Sequence, residues 1–153
     1  MEPASWDAPL DGAEELAAVL DYSGVAYERQ DDRFRFWFSS KGCRWQMVCD
    51  GMERRVMAYA IHPTPVRDRT AALEACCTIN SQTVRGSCFV QEDRIVYRTE
   101  AELLEACAAR EAVLQALEYS AAVMTTFGPQ MARGAAGLPQ ELSMDVTKSR
   151  FGI

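Results

Sequence analysis

The chain has 153 residues, of which 48% are hydrophobic and 25% are charged, a mixture that predicts one folded domain and argues against global disorder. Its formal net charge of −6 disfavours nucleic acid and anionic membranes as partners, because an acidic surface repels phosphate. The start of the chain has no basic segment of the signal-peptide kind, and no apolar run approaches the roughly 18 residues that span a bilayer, so we expect a cytoplasmic protein.

The N-terminal part of the chain predicts a loose lead followed by a helix. Residues 1–10 are expected to form the lead because they contain two prolines. The first helix is predicted at 11–23, where Asp11 and Glu14 form a capping-box-like pattern. Its apolar stripe consists of Leu16, Val19 and Leu20. Gly24 suits the left-handed position just past the helix end.

Four strands are predicted next. They lie at 25–29, 33–39, 43–49 and 55–61. In the second strand, three phenylalanines alternate with Arg33, Arg35 and Trp37, which predicts one core face and one outer face. The dipeptide Asp50-Gly51 is interpreted as the hairpin turn between the third and fourth strands.

The remaining elements are a helix, a hairpin and a long helix. The second helix is predicted from Thr64-Pro65 to Asn80, with Thr64 as its cap. Its apolar side is predicted to consist of Val66, Thr70, Leu73 and Cys77. Two hairpin strands follow at 87–91 and 94–98, and the third helix is predicted from Glu102 to about Met131. Because glycines begin at residue 134, we expect a flexible tail over 134–153.

The element order α-ββββ-α-ββ-α predicts an α+β fold over residues 11–133. We expect an antiparallel, strongly curved sheet with the helices on one side. The long helix would then cross the sheet, since it is long enough to span a small domain.

Six cysteines and one histidine are the residues that first suggest metal or nucleophilic chemistry. None of the cysteines forms a C-x-x-C pair, and structural zinc sites usually take their ligands from such closely spaced pairs. We expect the cysteines to be mostly buried free thiols, with a metal site or a redox role as the alternatives. His62, just before Pro63 at a strand end, is expected to be a surface or loop histidine, and no nucleotide-binding glycine motif occurs. We therefore predict no catalytic residue, no metal and no cofactor.

Aromatic residues on neighbouring predicted strands suggest a binding surface. Trp37, Trp45 and Tyr59 lie on three adjacent strands, and Trp37 faces outward beside Arg35 if the phenylalanines face the core. Exposed aromatic residues beside arginine are enriched at protein interfaces. The candidate partner-binding residues are therefore Arg35, Trp37, Trp45 and Tyr59. The alternative is that the long helix or a dimer mate covers this face.

The second half of the chain resembles the YbjN family, also labelled bacterial sensory transduction regulators. The resemblance rests on a helix that ends in Ile79-Asn80, two apolar strands and the long helix. The matching residues are Gly86-Ser87-Cys88-Phe89-Val90, Asp93-Arg94-Ile95-Val96-Tyr97-Arg98, and then Leu103, Leu114, Ala121, Phe127 and Pro129. The likeness covers residues 16 to 131, although Thr83 stands where the family often has a second asparagine.

The resemblance implies a fold similar to type III secretion chaperones, which are often dimeric and hold an extended partner segment on their surface. It thus implies a non-enzymatic, chaperone-like or regulatory binding module that acts through protein–protein contacts, and it favours a homodimer. A dedicated type III secretion chaperone and a small-ligand sensor with a pocket between sheet and long helix are the alternatives. Asn80 is expected to be structural, because asparagine at a helix end bonds to the local backbone.

Overall fold

The computed structural model describes residues 10–139, which form an antiparallel six-stranded sheet with three helices packed on one of its faces. The elements are α1 (Gly12–Tyr22), β1 (Tyr27–Gln30), β2 (Arg33–Ser40), β3 (Cys43–Met52), β4 (Arg55–Ile61), α2 (Arg69–Asn80), β5 (Ser87–Gln91), β6 (Arg94–Glu102) and α3 (Ala109–Ala136). The strand order in the sheet is β1-β2-β3-β4-β6-β5. The predicted α+β class, the curved antiparallel sheet and the order α-ββββ-α-ββ-α are confirmed.

The core lies between the sheet and the helices. The three phenylalanines of β2 point to this side, and Phe34 pairs with Cys49 and Phe36 with Met47 in the β2–β3 register. The predicted stripe of α1 is also buried here, and α3 adds Leu117 and Met124. Removal of this apolar surface from water is the main stabilising contribution to such a two-layer fold.

The start of α1 is held against β3 by close backbone packing. Asp11 caps the helix as predicted, since its carboxylate accepts the N–H of Ala13 at 3.0 Å. The prediction of a hairpin turn at Asp50-Gly51 is wrong: β3 continues to Met52, and the chain turns at residues 53 and 54. Gly51 is needed because α1 crosses the strand there, where a Cβ would lie 2.7 Å from the Cβ of Ala13.

The predicted start of the second helix is also wrong. α2 begins at Arg69, with the side chain of Asp68 as its N-cap. The preceding segment is bonded elsewhere, since Val66 donates its N–H to the carbonyl of Asp93, and Arg67 donates to Ala135. The helix therefore presents a different face from the predicted one, and Leu73 and Cys77 are exposed. Its buried residues are Ala72, Ala75, Cys76 and Ile79, whose small average size allows close packing on β5 and α3.

The long helix is shifted towards the C-terminus relative to its prediction. Residues up to Glu102 extend β6, because Glu102 pairs with Arg55 of β4, and α3 starts only at Ala109 after a short 3-10 turn. The helix passes through residue 134 and ends at Gly137, which has the left-handed φ of +80°. Residues 1–9 of the predicted lead and residues 140–153 of the predicted tail lie outside the described residues. Within the described part of the chain, no helix combines the length and apolar character needed to cross a membrane.

Candidate protein-binding surface

The outer face of the sheet, opposite the helices, carries a groove of about 550 Å³. Strands β2, β3, β4, β6 and β5 all contribute to it, because every second side chain of a strand points to the same side. The antiparallel registers align these side chains into rows that run across the strands. We call this surface the outer groove and define it by two such rows, one of which extends past the 550 Å³ groove to Trp37 in the adjoining shallow pocket.

The first row has arginines on either side of apolar side chains. Arg35 of β2 pairs with Val48 of β3, which pairs with Tyr59 of β4. Tyr59 in turn pairs with Arg98 of β6. The four strands thus place one guanidinium group on each side of a short apolar floor.

The second row is mainly apolar. Trp37 pairs with Gln46, which pairs with Ile61 of β4. Ile61 then pairs with Val96 of β6, and Val96 pairs with Phe89 of β5. Side by side, the two rows give an aromatic and aliphatic strip whose polar edges can accept hydrogen bonds from, or donate them to, a bound chain.

The electrostatics of the outer groove differ from those of the whole chain. Four arginines but only two acidic residues line it, whereas the formal net charge of the chain is −6. Arg33 is neutralised by a bidentate pair with Asp50, at 2.7 and 3.1 Å, and this hydrogen bonding raises the pKa of the Arg33 guanidinium. Within residues 10–139, Arg35 and Arg98 form no ion pair with an acidic side chain. Because it has no such ion pair, Arg98 can offer its charge to a partner, and its guanidinium lies 5.7 Å from the ring centre of Phe89.

Three of the four predicted partner-binding residues share this face. Arg35, Trp37 and Tyr59 point outward, and Trp37 is 51% exposed. Trp45 lies on the opposite side, where its indole N–H donates to Oγ1 of Thr125 at 3.0 Å. It belongs there because β3 residues 45 and 47 share the side that faces the phenylalanines. Trp45 therefore docks α3 on the sheet, and α3 does not cover the outer face.

His62 lies in the loop after β4, as one of the two expected placements has it, but it is not at the surface. His62 is only 5% exposed and lies beside Trp45, with 5.8 Å between the ring centres. Its Nδ1 accepts the N–H of Thr64 at 3.2 Å, and its Nε2 lies 3.1 Å from the carbonyl oxygen of Gly128. Burial lowers the pKa of His62. The imidazole thus acts as a neutral hydrogen-bonding link between β4 and α3, remote from the outer groove.

Sequence reasoning missed the half of the outer groove that β5 and β6 supply. The alternation in the two hairpin strands would have allowed the prediction that Phe89, Val96 and Arg98 share one face. Their position beside Tyr59 could not be predicted, because it depends on the pairing of β4 with β6, which are separated in sequence by α2 and β5.

No three His, Cys, Asp or Glu side chains converge into a possible metal site in the part of the chain that the structure describes.

Comparisons with known proteins identify relatives of this fold. A family model for YbjN, described as "Putative bacterial sensory transduction regulator", matches residues 12–133. Among curated proteins, no sequence matches. The crystal structure of YbjN from E. coli, described as "a putative transcription regulator", is similar with a TM-score of 0.60 and 14% sequence identity. The similarity covers 83% of this chain and 94% of that chain, and at this identity it shows the fold alone.

Proposed function

The chain belongs to the YbjN family, and we propose that it is a non-enzymatic regulatory protein that binds an extended segment of a protein partner in the outer groove. The observation that carries this proposal is the sheet face itself. All helices of the described region pack on the other face, which leaves the two rows of aromatic, aliphatic and arginine side chains open. Aromatic residues and arginine are the side chains that most often dominate protein interfaces.

The charge of the outer groove indicates the chemistry of the partner segment. Arg35 and Arg98 lie on either side of the apolar floor, so a complementary segment carries acidic side chains next to apolar ones. Guanidinium groups bind carboxylates in charge-assisted hydrogen bonds. Since the groove is open to solvent, such binding should weaken as salt concentration rises.

The chemistry of the groove also supports a role without catalysis. Its polar lining consists of arginines, glutamines, two acidic residues and the hydroxyl of Tyr59, and it holds neither a cysteine nor a histidine. The single histidine is used as a buried link on the other face of the sheet. A nucleophile with an adjacent base, which covalent catalysis requires, is absent from the residues that line the groove.

Two alternatives share part of this support. A dedicated type III secretion chaperone would use the same surface and differ only in the partner that it holds. A small-ligand sensor would need a pocket between the sheet and α3, but that interface is filled by fully buried side chains such as Phe34, Met47 and Met124. We therefore favour a protein segment on the outer face. A homodimer is also part of the proposal.

The test is peptide selection against the full-length protein. Short random peptides are displayed and selected on the wild type, and enriched sequences are measured against the double variant Arg35→Glu/Arg98→Glu. We expect peptides that combine acidic and apolar residues, and a loss of affinity of at least about tenfold in the double variant. The matched control is Arg67→Glu/Arg69→Glu, with the same charge change at two exposed arginines just before and at the start of α2, where acidic residues are tolerated and which do not line the groove.

Affinity capture from the native cytoplasm then identifies the partner. A protein captured by the wild type and by the control variant, but not by Arg35→Glu/Arg98→Glu, supports the proposal. The proposal fails if no peptide is enriched, or if both double variants bind selected peptides equally well. Salt-dependent binding of an oligonucleotide in the same groove would instead favour nucleic acid as the partner.

A further inference from the structure

Two buried cysteines lie in contact at the junction of α2 and β5. The sulfur atoms of Cys76 and Cys88 are 3.4 Å apart, and the residues are 4% and 3% exposed. Asn80, one helical turn after Cys76, binds the backbone of Cys88 through both ends of its side-chain amide. The position of Cys88 relative to α2 is therefore fixed by bonds that do not involve the sulfur atoms.

We propose that Cys76 and Cys88 form an oxidisable dithiol, which a peroxide converts into an intramolecular disulfide that joins α2 to the edge strand β5. The inference is independent of the outer groove and of the function proposed above. A disulfide requires the two sulfur atoms to approach by only about 1.3 Å from their present separation. Side-chain rotation on elements that are already in contact can supply a movement of this size.

The chemistry proceeds in two balanced steps. The thiolate of Cys76 attacks one oxygen of hydrogen peroxide, the O–O bond breaks, and Cys76 becomes a sulfenic acid while hydroxide leaves. The sulfur of Cys88 then attacks the sulfenic sulfur, and the S–O bond breaks. The proton of Cys88 leaves with that oxygen as water. The hydroxide from the first step takes up the proton that Cys76 lost on ionisation. In sum, two thiols and one peroxide give one disulfide and two waters, so that two electrons pass from the sulfurs to the peroxide.

The surroundings assign different roles to the two thiols. A hydrogen bond from the thiol of Cys88 lowers the pKa of Cys76, and this interaction raises the pKa of Cys88. Cys76 is thus the better nucleophile, and Cys88 is the resolving thiol. Because both are buried, a small oxidant such as hydrogen peroxide is the appropriate probe.

The other cysteines provide internal comparisons. Cys77 follows Cys76 directly but lies on the exposed side of α2, and Cys107 is exposed before α3. Cys49 is fully buried within the sheet, and burial raises its pKa. If exposure alone governed oxidation, Cys77 and Cys107 would react first. If the geometry governs disulfide formation, only Cys76 and Cys88 become joined.

The experiment treats the full-length folded protein with hydrogen peroxide, blocks the remaining thiols and digests the protein with trypsin. Cleavage after arginine places Cys76 and Cys77 in the peptide 70–85, and places Cys88 alone in 86–94. We expect these two peptides to be recovered as one cross-linked species that has lost two hydrogen atoms and that dithiothreitol separates. Thiol counting should show the loss of two free thiols per chain. The midpoint of thermal unfolding should rise by about 5 °C or more, because the disulfide restricts the unfolded chain.

Variants decide which sulfur atoms react. The cross-link should persist in Cys77→Ser, disappear in Cys76→Ser, and decrease strongly when wild-type protein is oxidised in urea. The proposal is overturned if folded wild-type protein shows oxidised Cys77 or Cys107 but no such cross-link, or if the cross-link involves Cys77. Should Cys76→Ser fail to fold, fragmentation of the cross-linked peptide from wild-type protein shows whether Cys76 or Cys77 is joined to Cys88.

Discussion

The side-chain amide of Asn80 completes the free edge of the sheet by pairing with the backbone of Cys88 in both directions. Its nitrogen donates to the carbonyl of Cys88 at 2.9 Å, and its oxygen accepts the N–H of Cys88 at 2.7 Å. β5 is an edge strand that has β6 on one side only, so Asn80 takes the place of a missing neighbour strand. The sequence-based expectation that Asn80 bonds to the backbone at its own helix end is therefore too local: the bonded backbone lies eight residues further on.

Replacement of Asn80 by alanine should destabilise the protein, because the partly buried N–H and C=O of Cys88 both lose their partner. An unsatisfied buried polar group costs roughly 1–3 kcal/mol, so we expect a decrease of about 2–3 kcal/mol in the free energy of unfolding. Urea denaturation followed by circular dichroism measures this change.

The variant Asn80→Asp separates the two hydrogen bonds. A carboxylate still accepts the N–H of Cys88 but repels its carbonyl, so this nearly isosteric change should also destabilise. Amide hydrogen exchange at Cys88 should become faster in Asn80→Ala and should change less in Asn80→Asp. Unchanged exchange in both variants would show that the edge of β5 does not depend on Asn80.

Gly51 should tolerate no side chain, because α1 packs directly on it. A Cβ there would contact the backbone and Cβ of Ala13, and a shift of α1 to make room would strain the hydrogen bond from the N–H of Arg54 to the carbonyl of Leu10. We expect Gly51→Ala to lower the free energy of unfolding by about 3 kcal/mol or more. Gly24→Ala is the control, since Gly24 has the positive φ of +70° but open space around it, and its cost should be only about 1 kcal/mol. Equal losses in the two variants would contradict a steric role for Gly51.

The strands were predictable wherever an alternating pattern was long enough to determine the side that each residue faces. β2 is the clearest case, since its three phenylalanines identify the core side and Trp37 with Arg35 the outer side. The same reasoning failed at Gly51, because aspartate–glycine in a strand suggests a turn unless one knows that a helix crosses there. It also grouped Trp45 with Trp37, although the period of two places them on opposite faces once the registers are known.

The helix limits and half of the site depended on long-range contacts. Thr64-Pro65 has the local chemistry of a helix start, but residues 66 and 67 bond to the β5–β6 turn and to α3. Likewise Glu102 is a good helix former that pairs with β4 instead. Arg98 enters the outer groove only because β6 lies beside β4, a pairing that local patterns do not encode.

His62 should make stability depend on pH in a defined window. Its pKa in the folded protein is lowered by burial, so between this value and about 6.5 the unfolded chain binds more protons than the folded one. The contribution of neutral His62 to the free energy of unfolding should therefore be fully present above about pH 6.5. It should decrease as pH falls towards the folded pKa, with a limiting slope of about 1.4 kcal/mol per pH unit. Urea denaturation at a series of pH values measures this slope.

The control for this prediction is His62→Gln, which keeps a donor and an acceptor but does not titrate near neutral pH. Carboxylates titrate in both proteins, so the difference between wild type and variant isolates the histidine. Between pH 7 and pH 5, the free energy of unfolding of the wild type should decrease more than that of His62→Gln. A difference that is constant with pH would contradict the buried, neutral state of His62.

Trp37 and Trp45 provide a matched pair, because the same residue type lies on opposite faces of neighbouring strands. Trp45 is partly buried against α3 and donates to Thr125, so Trp45→Ala should cost about 3 kcal/mol of stability. Trp37 is half exposed and contacts the guanidinium of Arg44, so Trp37→Ala should change stability by only about 0.5 kcal/mol.

For binding of the selected peptides, Trp37 should matter more than Trp45. Trp37→Ala should weaken peptide binding by about tenfold, whereas folded Trp45→Ala protein should bind like the wild type. Peptide binding that is lost in Trp45→Ala but kept in Trp37→Ala would move the binding surface to the helical side of the sheet.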